Sequence, residues 1–230
     1  MRVGYDMEIK AKELIRIIDK MNKRFTKYSN FLNILDSVIG DGDHGTNMKA
    51  GFHAIMKKID EPKIISIYDI FETMGNEMIE TTGGISGRLY GTSFIKIASI
   101  FKEKDKIEIT DFEKILLVSI NNIRQESGSE IGDKTMLDTL VPAFEEANYG
   151  IRNNISIVNI LDNVITEARE NAAYSILIPA KRDGCTEVDS KSIGYEDAGA
   201  ISSLIMLEAV LDFYKEQRDI EESIKTIFKN

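Results

Sequence analysis

Apolar residues recur along this chain mainly at three- and four-residue intervals, the spacing that gathers them on one face of an α-helix. Ile9, Ile15, Ile18, Met21 and Phe25 form one such face. Phe112, Ile115, Leu116, Ile120 and Ile123 form a second, and Leu204, Met206, Leu207, Val210, Leu211 and Tyr214 a third. No convincing run alternates with period two, as a half-buried strand would. The apolar stretch Ser175 to Pro179 is too short for periodicity to assign. Glycine clusters interrupt the helical pattern at 40–45, 83–87, 128–132 and 194–199, and each precedes a new helical run. Each therefore predicts a loop that opens a helix. The pattern as a whole predicts an all-α bundle of about eight to ten helices. Nothing in it reads as a linker, so residues 1–230 are expected to form a single domain. The last stretch, Asp219 to Asn230, places Ile220, Ile224, Ile227 and Phe228 on one face and predicts an extra short C-terminal helix.

Composition narrows the class. Of 230 residues, 43% are hydrophobic and 29% charged, the balance of an ordinary globular protein rather than a disordered chain. The formal net charge is −9 and no block of Lys and Arg stands out, so no nucleic-acid partner is expected. Acidity does not exclude a nucleotide ligand, because a metal ion can supply local positive charge. The lone cysteine, Cys185, rules out an intrachain disulfide and a Cys-rich zinc site, and suits a reducing cytoplasm. The N-terminus lacks the apolar core of a signal peptide, and no run of about 18 uncharged apolar residues predicts a membrane span.

The strongest chemical signal is Leu35-Asp36-Ser37-Val38-Ile39-Gly40-Asp41-Gly42-Asp43-His44-Gly45-Thr46-Asn47. Asp36 is expected in the last turn of a helix, with Asp41 and Asp43 following in a glycine loop. Three carboxylates so close repel one another, and a hard divalent cation resolves the repulsion with oxygen ligands. An EF-hand calcium loop does not fit: counted from Asp41, the sixth position is Thr46 and the twelfth Phe52, where glycine and glutamate are required. Directly after the acids, His44, Gly45, Thr46 and Asn47 open a helical run. Helix-start N–H groups attract anions. Cation ligands beside an anion site suit a metal-bound polyphosphate. In this reading His44 makes a polar contact and is not a metal ligand.

Three further loops also open helices. Thr81 to Thr92 carries Ile85 and Ser86, with Ser86 a helix cap or a phosphate ligand. Gly132 to Asp138 lacks the upstream glycine spacing of a Walker A loop; Asp133 is expected as an N-cap, and Met136 either packs on an adenine face or fills core. Ser192 to Ala200 offers Asp197 as a cap and nucleotide contact.

Together these motifs resemble one family. L-D-x-x-x-G-D-G-D-H-G-x-N-M, G-G-x-S-G-x-L-Y-G-T, G-D-K-T-M-x-D and S-I-G-x-x-D-x-G-A, in this order from about Asp19 to Tyr214, are similar to the nucleotide-binding subunit of dihydroxyacetone kinases, DhaL. The resemblance implies an antiparallel up-and-down barrel of about eight helices with the nucleotide at one end. It implies that Asp36, Asp41 and Asp43 hold two magnesium ions against the phosphates of ADP or ATP. Phosphate contacts carry over to His44, Gly45, Thr46, Asn47, Ile85 and Ser86. Adenine and ribose contacts carry over to Gly128, Met136, Asp197, Ala198 and Gly199. A free-standing subunit of this kind would keep ADP as a coenzyme, receive phosphoryl groups from a carrier subunit, DhaM, and pass them to a keto-sugar on a separate subunit, DhaK; it is also consistent with a homodimer.

The sequence departs from the family at defined places. The usual R-A-S-Y-L-G-E-R stretch is here Gly184 to Lys191, which puts Gly184 where the family's phosphate-facing arginine stands. Lys181, Arg182 and Lys191 are the neighbouring cations. Tyr195 replaces a His, Ala198 a Pro, and Arg88 stands where Pro is common. These changes leave two alternatives open: an ATP-dependent split kinase for another triose or tetrose, and a non-catalytic nucleotide-binding regulator.

Overall fold

A computed structural model describes residues 8–60, 66–181 and 190–227. Eight α-helices occur among them: α1 (Ala11–Asp36), α2 (His44–Ile59), α3 (Ile67–Thr81), α4 (Gly84–Ala98), α5 (Ile109–Ser127), α6 (Leu137–Arg152), α7 (Ile157–Tyr174) and α8 (Ala198–Ile227). Each packs on the next in sequence, and α8 closes on α1. The result is the all-helical up-and-down barrel expected. Ser175–Leu177, unassignable by period, is a single 3₁₀ turn.

The three apolar faces lie where the spacing put them, with one correction. Ile18, Met21 and Phe25 of α1, Phe112, Leu116, Ile120 and Ile123 of α5, and Leu204, Leu207 and Leu211 of α8 are buried. Ile9 is buried too, but it precedes α1 and pairs with Ile107 in a two-residue antiparallel ladder. A ladder this short carries no period-two signal. The rings of Phe25 and Phe52 meet at 4.7 Å between α1 and α2, and those of Phe71 and Phe101 stack at 5.6 Å. A narrow apolar hollow of about 120 Å³, lined in part by Ile18, Met74, Leu116 and Leu207, remains inside the barrel.

Close helix contacts depend on small residues. A Cβ added at Gly75 would lie 2.7 Å from the Gly91 carbonyl oxygen, and one at Gly91 would lie 2.8 Å from that of Gly75. The backbones of α3 and α4 thus touch directly, which a larger residue at either position would prevent.

Residues 219–227 continue α8 and do not form the separate helix expected. From Ala200 to Ile227 there is neither Gly nor Pro to end a helix, so the amphipathic pattern runs on. The expected face residue Phe228 lies outside the described residues.

Barrel topology also sorts the loops. The four glycine clusters all lie on odd-to-even connections: α1–α2, α3–α4, α5–α6 and α7–α8. In an up-and-down barrel alternate connections share one end. Four helix N-termini and their loops therefore gather on one rim.

Candidate functional site

Asp36, the last residue of α1, organises the acid loop. Its Oδ2 accepts from the backbone N–H of Gly42 (2.9 Å), Asp43 (3.0 Å) and His44 (3.3 Å). Its Oδ1 lies only 2.5 Å from where a Cβ at Gly40 would be, so the loop wraps the carboxylate because Gly40 has no side chain. Gly42 takes φ +77°, a left-handed turn that glycine adopts without strain. The outcome is that Asp36, Asp41 and Asp43 each offer an oxygen within 4.8 Å of the others. Burial, then the adjacent Asp41 and Asp36, raise the Asp43 carboxyl above its ordinary range, against a bond from the Asn47 amide that lowers it. Three mutually repelling carboxylate oxygens that pair with no cation among the described residues are a donor set for a hard divalent ion.

The acids face the start of α4. A cleft of about 220 Å³ has Asp36, Asp41 and Asp43 on one side and Gly83, Gly84, Ile85 and Ser86 on the other. Gly83, rather than Ser86, is the N-cap of α4, and a Cβ at Gly83 or Gly84 would meet nothing. Neither Gly83 nor Gly84 therefore puts a side chain between the start of α4, with its unpaired N–H groups, and the cleft.

His44 links this end to the rest of the rim. Its Nδ1 meets Ser86 Oγ at 3.1 Å and its Nε2 meets Ser202 Oγ at 2.9 Å. Ser202 donates to the Gly199 carbonyl (3.0 Å) and lies 2.7 Å from the Tyr90 hydroxyl. Either tautomer of His44 therefore sets both ring nitrogens against hydroxyl groups that can donate or accept as needed. Burial pushes the Tyr90 hydroxyl up to about 12, despite opposing bonds with Ser202 and Ser203. His44 is therefore a polar contact with both nitrogens on hydroxyls.

Gly45 and Thr46 turn elsewhere. A Cβ at Gly45 would fall 1.9 Å from the Ser29 carbonyl oxygen, so this glycine permits α2 to cross α1. Thr46 exchanges two bonds with Asn33: its N–H reaches Asn33 Oδ1 (2.9 Å) and its Oγ1 accepts from Asn33 Nδ2 (2.8 Å). Asn47 lines the acid end and donates to Asp43 Oδ1 at 2.7 Å.

A larger cleft of about 350 Å³ continues from Asp36, His44, Ile85 and Ser86 to Gly128, Met136, Asp197, Ala198 and Gly199. The structure thus brings together residues from all four loops. Met136 is buried at the mouth of α6 against Gly199. Asp197 caps α8, accepting from Ala200 N–H at 2.7 Å. Asp133 is not the N-cap of α6. It pairs with Lys181 Nζ (3.1 Å) and accepts from Glu130 N–H (2.8 Å). Asp138 holds the loop instead, accepting from Gly132 (2.6 Å) and Thr135 (2.7 Å).

Lys134 was not singled out by sequence reasoning. It is 1% exposed, at φ +63°, and its Nζ donates to the carbonyls of Ile178 (3.2 Å), Ser192 and Tyr195 (2.7 Å). Burial lowers its pKa, against the favourable charge of Asp197. Its ammonium ties the α5–α6 loop to both ends of the α7–α8 connection. The only sequence signal was a lysine at a tight turn. Gly184, Cys185 and Arg182 lie outside the described residues.

A helical barrel whose rim sets a carboxylate cluster opposite an open helix start belongs to the class of sites that can hold a metal-bound phosphate ligand. The DAK2 domain family matches residues 38–212, and the chain belongs to that family. It is 27% identical over 202 residues to the "PEP-dependent dihydroxyacetone kinase, ADP-binding subunit DhaL" of Escherichia coli K12, covering 88% of this chain and 96% of that protein. It is 28% identical over 197 residues to the "PEP-dependent dihydroxyacetone kinase 1, ADP-binding subunit DhaL" of Listeria innocua, covering 86% of this chain and 93% of that protein. The crystal structure of the dihydroxyacetone kinase from C. freundii in complex with AMP-PNP and Mg2+ shares the fold. Its TM-score is 0.67 at 19% identity, covering 92% of this chain and 36% of that one. Among the described residues no helix is long and apolar enough to cross a membrane.

Proposed function

We propose that this chain is the nucleotide- and magnesium-binding subunit of a dihydroxyacetone-type kinase. The observation that carries this reading is the acid cluster facing the open start of α4 in a cleft that continues to Met136 and Gly199. Asp36, Asp41 and Asp43 would hold two magnesium ions. Ions bound there would neutralise phosphate oxygens, the main chemical demand of phosphoryl transfer. The α4 start, with Ile85 and Ser86, takes phosphate oxygens through backbone N–H groups. His44 holds Ser86 in place, and Asn47 orients Asp43. Gly128, Met136, Asp197, Ala198 and Gly199 shape the nucleoside end. The terminal phosphoryl group passes to a hydroxyl of a small keto-sugar held on a DhaK-type partner, and a DhaM-type carrier restores ATP from the ADP left behind. The names of the bacterial relatives support this version.

A second reading is an ATP-dependent split kinase for another triose or tetrose. Gly184, where the family's arginine stands, and Arg88, Tyr195 and Ala198 favour it, because they change the residues that surround the nucleotide.

The test is calorimetric titration of the purified protein with ADP, with and without magnesium. Binding is expected to require magnesium and to weaken at least about tenfold in Asp41→Asn and Asp43→Asn, a loss of about 1.4 kcal/mol. Unchanged affinity in both variants refutes the metal assignment. Nucleotide released on denaturing the protein as purified separates the readings: retained ADP supports the coenzyme version, and its absence with ATP-dependent turnover supports the second.

A further inference from the structure

The large cleft is lined by several charged side chains beyond the acid loop, and all but one have partners within the chain. Arg88 pairs with Glu126 at 3.8 Å, and Lys181 with Asp133 at 3.1 Å. Lys134 spends its three hydrogens on three carbonyls, and Asp197 caps α8. Glu196 is the exception. It lines the cleft and is half-buried, yet its carboxylate receives no hydrogen bond and meets no cation among the described residues. Burial alone raises its carboxyl above the ordinary range. A carboxylate partly removed from water without a compensating donor is a net cost to the folded chain. No described residue bonds to it.

Its surroundings indicate what could satisfy it. Glu196 lies next to Asp197, Ala198 and Gly199 and lines the larger cleft, not the smaller one that Asp41 and Asp43 line. A phosphate there would be repelled by the carboxylate. Uncharged N–H and O–H donors would be accepted by it, and a carboxylate oxygen is a strong acceptor for them. A nucleoside offers such donors as ribose hydroxyls and as the exocyclic amine of adenine.

We propose that Glu196 is a specificity-determining residue that accepts a hydrogen bond from the nucleoside part of the bound nucleotide. This rests on the nucleotide-binding reading above and goes beyond it, since it assigns recognition to a residue that bonds to no other described residue.

The experiment compares ADP, 2′-deoxy-ADP, 3′-deoxy-ADP and inosine diphosphate, each with magnesium, on the wild-type chain and on Glu196→Ala. The wild type is expected to bind one analogue about tenfold or more weaker than ADP, the scale of one hydrogen bond to a charged acceptor. Which analogue suffers tells ribose from base. In Glu196→Ala the penalty for that analogue should vanish, and ADP itself should weaken to the analogue's level. Thermal unfolding without ligand should show the variant at least as stable as the wild type, because an uncompensated carboxylate is gone. If the penalties persist unchanged in the variant, or if the unliganded variant is clearly destabilised, the proposal is overturned. If the wild type binds none of the four compounds, the nucleotide-binding reading fails, and this assignment with it.

Discussion

At the scale of single residues, two charged groups, Asp36 and Lys134, shape the site by gathering backbone groups around them. Asp36 turns one oxygen to three backbone N–H groups and so shapes the loop that carries its two neighbours. Lys134 does the same with opposite charge, its ammonium meeting three carbonyls from a distant connection. Replacing it by Met keeps the stem and removes the donors, leaving three carbonyls, that of Ser192 buried, without that partner. Lys134→Met is therefore expected to lower stability by about 3 kcal/mol in urea unfolding, the cost of losing buried hydrogen bonds to a charged group. A change within about 0.5 kcal/mol would show that water replaces the ammonium freely.

At the scale of elements, glycine decides how closely helices approach. The glycines of the acid loop look alike in sequence but answer to different neighbours. Gly40 makes room for Asp36, Gly42 supplies a left-handed turn, and Gly45 lets α2 lie on the Ser29 carbonyl. Gly45→Ala places a methyl group 1.9 Å from that oxygen, so the start of α2 must move away from α1. Overpacking of this kind costs about 1–3 kcal/mol. The start of α2 carries His44 and follows directly on the acids, so magnesium-dependent nucleotide affinity is expected to fall together with the melting temperature. An Ala variant that is destabilised but binds as the wild type would separate the crossing from the site.

At the scale of the whole molecule, the barrel closes where α8 returns to α1. Glu208 on α8 meets Arg24 of α1 (2.7 Å) and Arg169 of α7 (2.6 Å), and Arg24 also reaches Asp212. Glu208 is largely covered and joins three helices at once, so it contributes more than an isolated surface pair would. Glu208→Gln is expected to cost about 1–2 kcal/mol and to speed amide exchange in α1 and α8 before the other helices. Uniform exchange across all helices would instead place the closing contact among many equal ones.

Legibility from sequence followed the range of the interactions. Helices α1, α5 and α8 were readable because their buried faces repeat within a few residues, and the acid loop because three carboxylates and three glycines fall within ten positions or so of one another. Ile9 was misplaced since a two-residue ladder leaves no period. Asp133 looked like a cap because Asp before a helix usually is one, while the bonds that decided against it come from Glu130 and Lys181.

By itself, then, the sequence determined the helical class, the loops that open helices, and the carboxylates that crowd together, all of which depend on neighbours within a turn or a loop. Only the tertiary structure decided that the start of α4 faces Asp36, Asp41 and Asp43, that His44 bridges Ser86 and Ser202, that Lys134 pins the α7–α8 connection, and that Glu196 has no partner among the described residues. Those facts depend on barrel closure, which brings residues such as His44 and Ser202, 158 positions apart, into hydrogen-bonding distance and leaves no trace in local spacing.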